Sequence, residues 1–168
     1  TKGLGTGTLT AALKREAVTE LEIKEAMDSM TTLNNAIDYL EPAGLTSAIH
    51  AATDLTGFGF LGHAMQLGRA SRVNLEFQFS QIPVLSSALE MIKQGFLTKA
   101  HRTNREYVDD SVDWIGAPLS DEERLLLFDP QTSGGLLLAV APESADAVVK
   151  ALPFARSIGR ANERALAH

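Results

Sequence analysis

The sequence predicts one mixed domain of the α/β or α+β class, in which helices cover a single mixed sheet. Its 168 residues fit one domain. From Leu45 onward, short apolar segments typical of strands alternate with segments whose apolar residues recur at helical spacing. Such alternation is typical of layered domains of helix and sheet. No internal repeat or low-complexity linker divides the chain, so residues 1–168 are expected to form a single domain.

The N-terminal part predicts a glycine-rich loop, residues 1–7, followed by three helices. Apolar residues at helical spacing predict the first and third helices. Thr19 and Glu22 have the spacing of a capping box, which predicts the start of the second helix. Pro42 and Gly44 stop the third helix. The three helices are expected over residues 8–18, 19–30 and 33–40.

The middle of the chain predicts two strands and two helices. A short apolar segment leads as a strand into Asp54, and alternating apolar and polar residues predict a half-buried second strand. In order, these elements are a helix tail and a strand over residues 45–53, a helix over 63–72, a strand over 73–79 and a helix over 85–94. Residues 96–119 show no regular period and predict a loop. A loop of ~20 residues inside a domain is typical of a functional or mobile segment.

The C-terminal part predicts two helices and two strands. Ser120 and Glu123 form a second predicted capping box, at the start of a helix that reaches Leu127. The continuous apolar run over residues 136–140 predicts a buried strand. Residues 142–152 predict a helix with proline in its first turn. An edge strand over 156–159 and a polar tail over 161–168 complete the prediction.

The composition narrows the class of function. The net charge is −6 and neither half of the chain is basic, so we expect no nucleic-acid partner. No apolar run reaches the ~18 residues of a membrane span, and no basic-then-apolar leader opens the chain, so we expect no membrane partner. The absence of cysteine excludes a disulfide, a cysteine-type zinc site and a cysteine nucleophile within these residues.

The strongest local motif is residues 53–63, Thr-Asp-Leu-Thr-Gly-Phe-Gly-Phe-Leu-Gly-His. It contains Gly-x-Gly-x-x-Gly between an apolar strand and a helix, the pattern of a dinucleotide-binding turn with Glu76 as its later acidic residue. Three features disfavour that function. Glu76 lies within the alternating strand instead of at its end, Phe58 and Phe60 are bulky, and the Asp54 carboxylate would repel a pyrophosphate.

A carboxylate beside a glycine-rich helix start fits a magnesium ligand better, because the metal can bridge Asp54 to a nucleotide phosphate. Thr56 and Gly57 lie in the same turn and are candidate phosphate contacts. The alternative is that Asp54 is a turn or N-cap residue and Thr56 a turn hydroxyl, and the local sequence leaves the two interpretations of Asp54 even. His63 is expected to be partly exposed or hydrogen-bonded within the protein, and we do not predict it as a metal ligand.

Two further polar clusters are candidates for anion contacts. The turn over residues 129–135, Asp-Pro-Gln-Thr-Ser-Gly-Gly, can present backbone N–H groups to an anion, although a tight turn that feeds a strand is the favoured interpretation. A basic cluster can hold a phosphate, although a solvated loop that offsets the acidic residues 109, 110 and 113 is favoured. The basic cluster comprises Lys99, His101, Arg102 and Arg105, with Asn104 among them.

Three blocks of the sequence together closely resemble the selenophosphate synthetase (selenide, water dikinase) family. They are residues 2–7 (Lys-Gly-Leu-Gly-Thr-Gly), 54–63, and 129–137 (Asp-Pro-Gln-Thr-Ser-Gly-Gly-Leu-Leu). Their order and spacing match, the likeness runs from about residue 1 to about residue 160, and Gly3 stands where we expect proline. Aminoimidazole ribonucleotide (AIR) synthetase, thiamine-monophosphate kinase and a hydrogenase maturation factor are sister families of the same fold, with different glycine turns.

The resemblance implies a three-layer α/β/α fold with a mixed sheet, like the C-terminal domain of AIR synthase. It implies a cytoplasmic, homodimeric enzyme that makes selenophosphate from selenide, ATP and water, releasing AMP and orthophosphate. In that family an N-terminal domain supplies most of the ATP site, a reactive cysteine or selenocysteine, a lysine and several magnesium-binding aspartates. The lack of cysteine and the start at Thr1 lead us to expect that this chain is the C-terminal domain, separated from that N-terminal domain.

The resemblance also assigns roles to particular residues. Asp54 matches the aspartate that the C-terminal domain contributes to Mg²⁺, and no catalytic residue is expected in this chain. Candidate contacts to ATP phosphates or substrate are Thr56, Gly57, Asn104, Gln131, Thr132 and Ser133. Two alternatives stay open, which are a catalytically silent fold module and a sister ATP-dependent enzyme.

Overall fold

The computed structural model describes residues 1–152 and 154–163. The helices are α1 (Thr6–Lys14), α2 (Lys24–Thr31), α3 (Ile37–Leu40), α4 (Gly59–Ser71), α5 (Ala88–Lys93), α6 (Lys99–Val108), α7 (Asp121–Leu126) and α8 (Ala145–Ala151). The strands are β1 (Ile49–Asp54), β2 (Val73–Phe77), β3 (Leu136–Val140) and β4 (Gly159–Glu163). Single 3₁₀ turns cover Thr46–Ala48, Phe79–Gln81, Asp109–Ser111 and Pro142–Ser144. This mixture of helices and strands confirms the predicted fold class.

The described strands form two antiparallel pairs instead of the single mixed sheet that we predicted. β1 pairs with β3, so that Asp54 lies opposite Leu136, and β2 pairs with β4. The parallel contact within the described residues is an isolated bridge between Leu4 and Val84. β1 and β2 are therefore not neighbouring parallel strands, although α4 connects them.

Most elements lie within a few residues of their predicted positions. The predicted strand over 136–140 coincides with β3, and α7 has the predicted capping box, in which the Ser120 hydroxyl accepts a bond from the Glu123 N–H at 3.2 Å. Thr19 and Glu22 also form their reciprocal bonds, but residues 20–23 form turns and α2 begins only at Lys24.

Two predictions of secondary structure are wrong. The expected loop over 96–119 contains the ten-residue helix α6, whose buried residues are His101, Asn104 and Val108. Because two of these three are polar, α6 lacks the apolar period by which helices are predicted. The last strand is β4, three residues later than the predicted 156–159, and the C-terminal part of the predicted tail, 164–168, lies outside the described residues.

The apolar core consists of two clusters on the two faces of the β1–β3 pair. The larger cluster includes Leu9, Phe60 and Leu126, each at most 1% exposed, and it holds α1, α4 and α7 together. The smaller cluster joins α3 and α8 through Leu40 and Leu152, with strand residues of β1 and β3 packed against it. The two clusters hold both ends of β1 in place, including the end at Asp54. None of the described helices is long and apolar enough to cross a bilayer.

Candidate functional site

The three sequence blocks that we singled out are folded against one another. The Leu55 N–H donates to the Gly135 carbonyl at 2.8 Å, and the Gln131 N–H donates to the Thr56 carbonyl at 3.0 Å. The N-terminal block joins them, because the Gly5 N–H donates to the Gln131 side-chain oxygen at 3.3 Å. Residues far apart in the chain therefore form one continuous site.

Asp54 is the last residue of β1, and its side chain is exposed at the edge of this site. Within the described part of the chain we find no ion pair or hydrogen bond of its carboxylate. The N-cap interpretation of Asp54 is wrong, because the N-cap residue of α4 is Phe58 and no side chain caps that helix. The carboxylate is thus accessible to a ligand from solvent.

Thr56 is held from inside by His63. Nε2 of His63 lies 3.0 Å from both the Thr56 backbone nitrogen and the Thr56 hydroxyl oxygen. An amide N–H can only donate, so Nε2 accepts, and the proton of the neutral ring lies on Nδ1. Burial lowers the pKa of His63, while the Asp54 carboxylate acts in the opposite direction. His63 is thus hydrogen-bonded within the protein, which was one of the two outcomes that we expected.

Asn104 reaches the glycine turn from α6. Its side-chain amide donates to the Gly57 carbonyl at 2.8 Å and to the Phe128 carbonyl at 3.0 Å. The side chain is buried, whereas Gly57 is exposed and has no heavy atom within 4 Å of the place where a Cβ would lie. Asn104 therefore holds the turn from its buried side, and the exposed side of Gly57 has room for a ligand.

Asp129 is the most enclosed polar group of the site. It is fully buried, and it accepts bonds from the Gly7 N–H at 3.0 Å and the Thr8 N–H at 2.8 Å. Both amides belong to the first turn of α1, whose own N-cap residue, Gly5, has no side chain. Asp129 therefore supplies the cap that α1 lacks locally, where a negative charge also stabilises the positive end of the helix.

His101 completes the surroundings of Asp129. Its Nδ1 accepts the Thr98 N–H at 3.1 Å, so its Nε2 carries the ring proton. Nε2 donates to the Thr8 hydroxyl oxygen at 3.3 Å, and that hydroxyl donates to the Asp129 carboxylate at 2.9 Å. Nε2 itself lies 3.1 Å from the same carboxylate oxygen. His101 is buried and is separate from the basic face of α6, where Arg102 forms an exposed ion pair with Glu106 at 3.7 Å. Our sequence reasoning missed the roles of Asp129 and His101. The signal that could have indicated them is a helix that begins in Gly-Thr-Gly without a local cap.

The residues of the second turn occupy different environments. Gln131 is buried: its oxygen faces the amides of Gly5 and Thr6, and its nitrogen donates to the backbone and carboxylate of Asp129. Ser133 is exposed, and its hydroxyl donates to the Met30 carbonyl at 2.7 Å. Thr132 is exposed, and its backbone N–H donates to the Thr6 hydroxyl at 2.8 Å. The hydrogen-bonding groups of Gln131 are therefore used within the protein, unlike the side chain of a direct ligand contact.

Glu76 argues against a dinucleotide site. It lies in the middle of β2, where Arg160 on β4 donates to its carboxylate at 2.9 Å and 3.0 Å. This bond lowers the pKa of Glu76. A carboxylate that pairs with arginine on a separate strand pair is not placed to meet a ribose beside the glycine turn, so its position further disfavours the dinucleotide interpretation.

The exposed groups of the site are the Asp54 carboxylate, the backbone of Gly57 and Thr132. Among residues 1–152 and 154–163, no group of three or more histidine, cysteine, aspartate or glutamate side chains can hold a metal ion. Mg²⁺ is commonly held through one or two carboxylates together with phosphates and water. Asp54 can therefore serve as one ligand among several, and further ligands must come from a substrate or from other residues.

Comparison with known proteins shows which family the chain resembles. The family "AIR synthase related protein, C-terminal domain" matches residues 1–166. The chain is 54% identical over 152 residues to proteins named selenide, water dikinase from Bdellovibrio bacteriovorus and Nitrosomonas eutropha. It is 44% identical over 156 residues to one from Rhizobium meliloti.

These alignments cover 90–92% of this chain but only 43% of the length of each relative. The chain thus spans less than half of the relatives that it matches, whereas the family matches it almost from end to end. The chain therefore belongs to the family of AIR synthase related proteins and corresponds to their C-terminal domain.

Proposed function

We propose that this chain is the C-terminal domain of a selenide, water dikinase, which makes selenophosphate from selenide, ATP and water and releases AMP and orthophosphate. The observation that carries the proposal is the folded arrangement of the three blocks. They resemble motifs of that family, they are hydrogen-bonded to one another, and they leave Asp54 exposed at their edge. The similarity to relatives of that name over 90% of this chain supports it.

Asp54 is the magnesium ligand in this proposal. Phosphoryl transfer needs cations that neutralise charge on the phosphates, and carboxylates that place those cations. The exposed Asp54 carboxylate fits one ligand position, and Mg²⁺ bound there would neutralise phosphate charge. The remaining magnesium ligands come from the phosphates of ATP and from the N-terminal domain of the longer protein.

The other candidate residues divide into two groups by their surroundings. Gly57 and Thr132 are exposed beside the turn and are the proposed phosphate contacts. Asn104, Gln131 and the hydroxyl groups of Thr56 and Ser133 bind groups of the protein itself, and in our proposal they hold the two turns in place. We further propose that the longer protein is a cytoplasmic homodimer.

The test is a chimera in which this chain replaces the matching part of the Bdellovibrio bacteriovorus relative. We expect the chimera to release AMP in a selenide-dependent reaction, and Asp54→Asn to lower that rate by about 100-fold or more, because the loss of a metal ligand costs at least as much as the loss of its supporting shell. Asp113→Asn, at an exposed position outside the site, is the matched control. An Asp54→Asn chimera as active as the control would contradict the proposed role.

A second candidate is a catalytically silent fold module. The absence of any multi-residue metal group in the part of the chain that the structure describes favours it for the chain on its own. A third candidate is the activity of one of the sister families. Assays of the longer protein with selenide, with thiamine monophosphate and with a purine intermediate distinguish it from our proposal. Turnover of either of the last two substrates in place of selenide would replace our proposal.

A further inference from the structure

The glycine turn, residues 55–58, connects the end of β1 to the start of α4. The Leu55 N–H donates to the Gly135 carbonyl and the Gly59 N–H to the Thr56 carbonyl, and three further contacts hold the backbone of the turn. The Thr56 carbonyl accepts the Gln131 N–H, the Gly57 carbonyl accepts the Asn104 amide, and the Thr56 N–H donates to His63. The third of these further contacts comes from a side chain of α4, seven residues further along the chain.

The contact between His63 and Thr56 uses both donors of Thr56 at once. Nε2 accepts the backbone N–H and the hydroxyl, each at 3.0 Å. The ring is 7% exposed, and it lies against the ring of Phe58, with 5.7 Å between the ring centroids. Both donors of Thr56 therefore point into the protein and away from any ligand at the turn.

This inward orientation decides which groups of the turn face outward. With the Thr56 N–H turned inward, the exposed residues of this segment are Asp54, which carries the carboxylate, Gly57 and the apolar Phe58. A partly buried hydrogen bond at this point limits the rotation of the backbone between Asp54 and Gly57. The acceptor of that bond lies in the next helix.

We propose that His63 is a positioning residue, which fixes the glycine turn through its unprotonated Nε2 and thereby directs the Asp54 carboxylate toward a divalent cation. This inference rests on the proposed function, which supplies the cation. His63 is not itself a metal ligand, because its Nε2 is occupied by Thr56. It acts on the site only through the backbone that it holds.

The experiment compares His63→Gln, His63→Leu and the control His50→Gln in the full 168-residue chain. Glutamine places an acceptor near the position of Nε2, leucine keeps apolar bulk without an acceptor, and His50 is an exposed residue of β1. Three NMR readouts are used. They are the tautomer of His63 in the wild-type chain, hydrogen exchange of the Thr56 amide, and broadening of the amide signals of residues 53–57 by Mn²⁺ alone.

We expect a proton on Nδ1 of His63 in the wild type. Loss of one net hydrogen bond in His63→Leu should speed Thr56 exchange about fivefold or more, while His63→Gln and His50→Gln stay within about twofold of wild type. Mn²⁺ broadening should weaken in His63→Leu and persist in the other two variants. This pattern separates positioning from a purely structural role. Glutamine restores the hydrogen-bond acceptor, and with it slow Thr56 exchange and Mn²⁺ broadening, whereas leucine only fills the space.

Several results would overturn the inference. A proton on Nε2 of His63 would do so in the wild type alone, even if His63→Leu fails to fold. Unchanged Thr56 exchange or unchanged Mn²⁺ broadening in a folded His63→Leu chain would overturn the positioning role and leave the proposed function intact. Absence of Mn²⁺ broadening in the wild type would instead overturn the cation role of Asp54 and the positioning role with it.

Discussion

Asp54 and Asp129 have opposite surroundings, although both aspartates stand beside glycine-containing turns. Asp54 is exposed at the end of β1, whereas Asp129 is fully buried, accepts bonds from the first turn of α1 and lies 3.1 Å from the His101 ring nitrogen. A carboxylate with buried donors on every side stabilises the fold, and an exposed one is free to meet a ligand. The same residue type thus has two different environments in one site.

Asp129→Ala should lower the free energy of unfolding by about 3–5 kcal/mol. The substitution leaves the amides of Gly7 and Thr8 and the hydroxyl of Thr8 buried without the carboxylate that accepts from them, and each orphaned donor is costly. Urea unfolding followed by circular dichroism measures the change. Asp113→Ala is the exposed control and should stay within about 0.5 kcal/mol of wild type. Equal stability of the two variants would show that Asp129 is not the cap of α1.

His63 should make part of the stability depend on pH. Burial lowers its pKa in the folded chain below the ordinary value of 6.5, so the unfolded chain binds a proton more readily. The stabilisation is therefore complete above about pH 6.5 and is lost as the pH falls toward the folded pKa. We expect urea midpoints to fall with acidification in this range, and His63→Gln to remove a slope of at most about 1.4 kcal/mol per pH unit.

The control for this pH experiment is His50→Gln, in which the slope should equal that of the wild type. Asp54 faces His63 and acts against the effect of burial, so Asp54→Asn should extend the loss of stability to lower pH. Identical slopes in wild type and His63→Gln would mean that other groups cause the acid dependence.

At the scale of elements, the site depends on the first residue of α4 and on the buried face of α6. α4 starts at Gly59, whose φ of +70° is unfavourable for residues with a side chain. A Cβ at Gly59 would lie 2.9 Å from the Phe128 carbonyl carbon and oxygen, so the absence of a side chain brings the two turns together. α6 presents His101 and Asn104 on its buried face, and both bind these turns.

Gly59→Ala and Gly57→Ala should therefore act in opposite ways, although the two glycines belong to the same motif. Gly59→Ala should cost about 2–4 kcal/mol of stability, from backbone strain and a clash with a rigid backbone. Gly57→Ala meets no atom within 4 Å and should change stability by less than about 1 kcal/mol. Thermal and urea unfolding of both variants test this difference.

Gly57→Ala is also informative in the chimera described above. The added methyl group would enter the open space that we assign to a phosphate, so selenide-dependent AMP release should fall while the fold is retained. Full activity of a stable Gly57→Ala chimera would contradict the assignment of a phosphate to this turn.

At the scale of the whole molecule, we propose that the site is one part of a larger enzyme. The chain folds around two apolar clusters, yet its described residues offer one exposed carboxylate and no multi-residue metal group at the site. Its relatives are more than twice its length. The described residues thus form a well-packed apolar core but supply only one ligand for a metal. We expect this combination in one domain of a larger enzyme.

The 168-residue chain should bind Mg-ATP only weakly. A single exposed carboxylate offers too few ligands for a tight magnesium complex, so titration calorimetry at micromolar concentration should show no saturable heat. Asp54→Asn is the matched comparison, since it removes the one proposed ligand. Micromolar binding of Mg-ATP that Asp54→Asn abolishes would show that this chain forms a nucleotide site without a second domain.

Local pattern was enough to predict those elements whose signal lies in adjacent residues. The apolar run of β3, the capping box of α7 and the strand–turn–helix at Asp54 are set by side-chain periodicity and by caps a few residues apart. Local pattern did not join Asp54, Thr56, Gly57 and Gln131 into one site. The resemblance of their motifs to those of one family made that prediction. Whether those residues bind a ligand stays a prediction.

The long-range partners were decided by tertiary packing. Asp129 caps a helix more than one hundred residues away in the chain, and His101 joins it from a helix with a polar buried face. Neither contact leaves a period or a spacing in the sequence, since a buried polar group is satisfied by whichever donor the fold brings to it. Exposure likewise separates Asp54 from Asp129, because only the folded chain determines which carboxylate the surrounding backbone encloses.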